Sequence, residues 1–110
     1  MQMTYLAQTK ADRIQLPPAI AEQVRRAGWV GIRIAASGDN ESLTAYPLPH
    51  PSAPAEGLTT QLDAQDGLRI GADLRQQVGL NGQSVMVRFE EDVLRIYLRQ
   101  VFKTLGFRPA

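Results

Sequence analysis

Asp12-Arg-Ile-Gln-Leu-Pro-Pro-Ala-Ile-Ala-Glu-Gln-Val24 is answered later in the chain by Asp66-Gly-Leu-Arg-Ile-Gly-Ala-Asp-Leu-Arg-Gln-Gln-Val78. Leu16 aligns with Ile70, Ile20 with Leu74 and Val24 with Val78, all at one offset of 54 residues. A repeat within 110 residues predicts two half-domains of one design closing around a common core. At that length the whole chain, 1–110, is expected to be a single domain.

Each repeat, about 3–47 and 58–99, reads as strand, short strand, helix and hairpin. The segment before Lys10 alternates as an opening strand whose buried face the pattern leaves open. Arg13 to Leu16 alternates as a half-buried strand, and Pro17-Pro18 stops it and pre-sets a first helical turn. Ile20 and Val24 share one helical face, with Gly28 as the stop. Val30, Ile32 and Ile34 alternate outward from there, Ser37 to Ser42 is a polar turn, and Leu43 to Tyr46 returns. In the second repeat Leu58 to Leu62 opens and Leu68-Arg-Ile70 is the short strand. Leu74 and Val78 mark a helix ending at Gly79, and Asn81-Gly82 is a turn. Val85, Val87 and Phe89 then pair with Leu94, Ile96 and Leu98 across the acidic turn Glu90-Glu-Asp92. Between the repeats, residues 47–57 hold four prolines and are expected to form an extended linker. Residues 100–110 form a short tail in which Val101, Phe102 and Leu105 would either pack as a last helical turn or offer an apolar patch to a second subunit.

The net charge of +1 supplies no long-range attraction to nucleic acid. Ten of the twelve cationic residues are nevertheless Arg, the side chain that grips phosphate and base edges with a planar fork. No apolar run is long enough to span a membrane, and no basic-then-apolar leader opens the chain, so a cytoplasmic location is expected. Without cysteine there is neither a disulfide framework nor a thiolate metal site. His50, the one histidine, stands among prolines with no nucleophile or ligand beside it in sequence. The acidic turns lack the spaced ligands of a calcium loop. Neither catalysis nor a cofactor is expected.

The plan of a short strand, Pro, a short helix ending near Gly-Leu and a hairpin resembles the AbrB/MraZ/SpoVT family of swapped-hairpin barrels. The residues that carry it are Asp12-Arg13-Ile14-Gln15-Leu16-Pro17 in the first repeat. In the second they are Asp66-Gly67-Leu68-Arg69-Ile70-Gly71, with Leu74-Arg75 and Val78-Gly79-Leu80. The resemblance covers about 90 residues and implies a mainly β fold with two short helices: a pseudo-twofold swapped-hairpin barrel, or the related double-psi barrel. It further implies a DNA-binding transcriptional regulator, acting as a homo-oligomer, with Arg13 and Arg75 contacting phosphates or bases; Lys10 and Arg69, flanking the turns, would add sequence-independent charge. Two departures qualify it. Family members carry an Asp four residues before the motif Arg, but the first repeat has Thr9 with Arg13, and the second has Asp63 with Gly67. Arg13 therefore has two expected roles, gripping phosphate or bridging to Asp63 of the other repeat.

Other cations have local readings. Arg25-Arg26 ends the first helix, where cations favour the carbonyl end of the helix dipole. Arg88, Arg95 and Arg99 would form a basic ribbon if the outer face of the second hairpin is continuous, capped by Glu90, Glu91 and Asp92 with the wrong sign for nucleic acid. The rival to DNA binding is a non-catalytic protein-binding barrel, an adaptor, chaperone-like module or assembly factor. Its docking surface would comprise Trp29, the proline segment and Phe102, Leu105 and Phe107 of the tail; the other reading of Trp29 is a half-buried plug of the core.

Overall fold

In a computed structural model the chain is described over residues 4–10, 12–38, 40–80 and 84–98. The first repeat supplies β1 (Tyr5–Lys10), β2 (Arg13–Gln15), α1 (Pro18–Arg26), β3 (Gly31–Ala36) and β4 (Ser42–Leu48). The second supplies β5 (Leu58–Thr60), β6 (Gly67–Arg69), α2 (Ala72–Val78), β7 (Ser84–Glu90) and β8 (Val93–Tyr97). The eight strands form one antiparallel sheet in the order β5-β3-β4-β8-β7-β1-β2-β6. Its ends meet at a single Leu62–Leu68 bridge, so the sheet is a nearly closed barrel.

The pairing is twofold. Adding 54 to one partner and subtracting it from the other carries Tyr5–Val87 onto Arg33–Thr59, and Leu6–Met86 onto Ile32–Thr60. Ile14 pairs with Leu68, its own repeat equivalent, which places the pseudo-axis on that rung. Across the axis Leu16 N–H donates to Asp66 O at 2.9 Å, and Ile70 N–H donates to Asp12 O at 2.6 Å. Leu16 and Ile70, aligned by sequence, thus occupy equivalent buried places in one core shared by both repeats.

Alternation sets the core. Ile32 and Ile34, Leu43 and Ala45, Val85 and Val87, and Leu94 and Ile96 all point inward and are buried. Ala7 and Thr9 settle the inward face of β1, which leaves Leu6 outside and exposed. The ends of the barrel are treated unequally. Helix α1 starts at Pro18 and buries Ile20, Ala21 and Val24. Helix α2 is two residues shorter, opens behind Gly71 and buries no residue fully. Leu74 and Val78 pack against the core only in part.

The proline segment departs from expectation at its start, because β4 continues through Pro47 and Leu48, paired with Ile32 and Gly31. Proline lacks an N–H, but β8 covers β4 only as far as Ala45, so the other side of β4 is open at Pro47. Beyond it the segment is pinned. Arg33 donates from Nη1 to Pro54 O at 2.8 Å and Ala55 O at 2.7 Å, and from Nε to Thr59 Oγ1 at 2.9 Å. Among the described residues no helix is long and apolar enough to cross a membrane.

Candidate functional site

The pseudo-axis is the natural place to look for a phosphate-gripping surface, because three of the four predicted contacts lie on the strands around it. Arg13 ends up against its predicted carboxylate: Nη1 donates to Asp63 Oδ2 at 2.9 Å, with Asp12 Oδ1 3.6 Å from Nε. Asp63 is held from a second direction, since its Oδ1 accepts the N–H groups of Gln65 and Gly67, each at 2.8 Å. The Gly67 N–H, with Gln65 and the Arg13 charge, keeps this carboxyl below the usual carboxylate range despite the opposing effect of burial.

Gly67 has a steric reason. A Cβ there would lie 2.6 Å from Asp63 Oδ2 and 2.9 Å from Arg13 Cδ. The repeat equivalents of Arg13 and Asp63 are Gly67 and Thr9, so the paired departures from the family pattern have a simple consequence. One cross-repeat ion pair is complete and the other is wholly erased, with no charge stranded in either. Thr9 Oγ1 is left buried without a hydrogen-bond partner among the described residues.

Two further cations tie the repeats together. Arg69 Nη2 donates to Asp12 Oδ2 at 3.1 Å, which holds the Asp12 carboxyl below its ordinary value. Arg25 Nη1 meets Asp66 Oδ1 at 2.5 Å, and Nη2 donates to Asp63 O at 3.2 Å. The helix dipole is therefore not the whole account of Arg25: it reaches from the end of α1 to the turn of the other repeat. Asp66, the repeat equivalent of Asp12, was the available signal for it. Arg26 pairs with Glu22 along the helix at 2.7 Å. Lys10 is exposed at the end of β1, and Arg75 is half-buried on α2.

Two arginines of the expected ribbon stand side by side on the second hairpin, and the one carboxylate of Glu90 offsets only part of their charge. Arg88 and Arg95 are direct cross-strand partners, and both guanidinium groups stand over the Tyr97 ring, at 5.1 and 5.7 Å from its centroid. Arg88 Nε donates to Glu90 Oε2 at 2.6 Å, and the Tyr97 hydroxyl donates to the same oxygen. Burial pushes Glu90 up, but the bonds from Tyr97 and Arg88 prevail and its carboxyl stays below the usual range. Burial and the Glu90 carboxylate push Tyr97 up. Arg99 lies outside the described residues.

A different surface forms at the mouth of the barrel. Trp29 sits on the edge of Phe89, with centroids 5.9 Å apart and planes at 85°. Gln23, Ala27 and Pro47 complete a groove of about 500 Å³ with these rings, and Glu91 and Asp92 form its rim. Asp92 also receives His50. The His50 Nδ1 accepts the Ser52 N–H at 3.0 Å, so Nε2 carries the proton donated to Asp92 Oδ2 at 2.9 Å. Sequence spacing gave no hint of that contact across 42 residues, nor of the Trp29–Phe89 pair. The predicted docking residues Phe102, Leu105 and Phe107 lie outside the described residues. No protein-family model matches the chain, and no curated protein matches its sequence.

Proposed function

We propose that this chain is a non-catalytic protein-binding barrel, cytoplasmic and without a cofactor, built on an AbrB/MraZ/SpoVT-like plan whose phosphate-gripping arginines have become internal fasteners. The observation that carries the reading is the pairing of Arg13 with Asp63 and of Arg69 with Asp12, two of the four predicted DNA contacts. A guanidinium that already holds a carboxylate offers a phosphate a partly cancelled charge and fewer free N–H donors, and a net charge of +1 adds little attraction. The docking surface is the Trp29–Phe89 groove, where an apolar floor meets a charged rim in the manner of a small interface hot spot.

Two binding measurements test this against DNA regulation. Random-sequence duplex DNA should not bind at about 50 mM salt; affinity there that falls steeply as salt rises would establish phosphate contacts and overturn the proposal. Peptides selected against the immobilised domain should bind it, and lose binding in Phe89→Ala and Glu91→Lys. Failure to select any such peptide counts against the groove.

A further inference from the structure

The groove under Trp29 has an apolar floor and an acidic rim, Glu91 and Asp92, both exposed in the β7–β8 turn. Residues 99–110, Arg-Gln-Val-Phe-Lys-Thr-Leu-Gly-Phe-Arg-Pro-Ala, have the opposite character. They carry Arg99, Lys103 and Arg108, no acid, and the apolar Phe102, Leu105 and Phe107. We propose that the occupant of the groove is this basic, aromatic segment of a second copy of the chain, exchanged reciprocally in a dimer. The inference names the partner for the docking surface proposed above and rests on that reading.

The exit point of the segment favours a second copy over the same chain. Leu98 N–H donates to Glu41 O at 3.0 Å, beside the β3–β4 turn, whereas the groove lies at the other end of β8. Five strand residues put the two ends about 16 Å apart. Both edges of β8 are occupied, by β4 and β7, so the segment cannot return as a strand alongside it. A return over the outer wall would carry Arg99 and Lys103 past Arg88 and Arg95, charges of the same sign. A second copy turned the other way presents its segment to the groove without that crossing. The same two surfaces are then used twice, which closes the assembly at two chains.

The test is sedimentation of the full chain over a range of concentrations, with emission of the sole tryptophan, Trp29, followed in parallel. A dimer is expected, separating on dilution as Trp29 emission moves to the red. Truncation after Leu98 should yield a monomer with the emission of the diluted protein. Glu91→Lys, on an exposed turn, should weaken dimerisation roughly tenfold without unfolding the barrel, and it stands as the test should the truncated chain not fold. A peptide of residues 99–110 should bind the Glu91-containing truncated chain and not its Glu91→Lys counterpart. A monomer at every concentration, a dimer unaffected by truncation, or a tail-dependent Trp29 shift that ignores dilution would each overturn the proposal. If peptide selection still returns groove ligands after such a result, only the identity of the partner is wrong; if it returns none, the docking reading fails as well.

Discussion

Asp63 joins the two repeats, receiving two backbone N–H groups from its own turn and a guanidinium from the other repeat. Gly67 is the condition for that convergence, since any side chain there enters the space of Asp63 and Arg13. Gly67→Ala should destabilise the fold by about 1–3 kcal/mol in urea unfolding, the usual effect of overpacking a tight site. Its backbone is not in the left-handed region, so the loss is steric. The missing Asp and the missing Arg were both legible in the sequence, but their meaning depended on distance. Only the fold shows that the two surviving members touch.

The two helices share a sequence plan and differ in how they sit. Ile20 in α1 is fully buried, whereas its repeat equivalent Leu74 in α2 is only half-buried. Ile20→Ala should therefore cost about 2–5 kcal/mol and Leu74→Ala markedly less, measured as shifts in urea midpoint at constant slope. Periodicity located both helices and the second hairpin, because i,i+4 pairs and strict alternation report burial on regular elements. It could not extend β4 through Pro47, because a proline is excluded from a sheet only where its missing N–H is needed. Nor could it bring His50 to Asp92 or Trp29 to Phe89, contacts made by loops and strand ends rather than by a repeating face.

Across the molecule the repeats are interleaved rather than juxtaposed: β1 pairs with β7, and β3 with β5. Neither repeat can complete its sheet alone. Separate chains cut within residues 49–57 should each lack cooperative thermal unfolding, and mixing them should restore it with one-to-one stoichiometry. The ion pairs direct that stoichiometry. Two first repeats would face one another with two Arg13 side chains and no Asp63, and two second repeats with two Asp63 side chains and no Arg13, so only the mixed pair forms the Arg13–Asp63 bridge.

The barrel perimeter is fastened unevenly. Three rungs join β1 to β2, but at the equivalent place a lone bridge runs from Leu62, just past the end of β5, to Leu68 of β6. A ring loosens first where it is least paired, and the strands flanking that bridge, at three residues each, are as short as any in the sheet. Opening of the barrel should therefore begin on the flank where Gly71, ahead of α2, lies beside Leu58, and hydrogen exchange should reach the amides of β5 and β6 before those of β7 and β8.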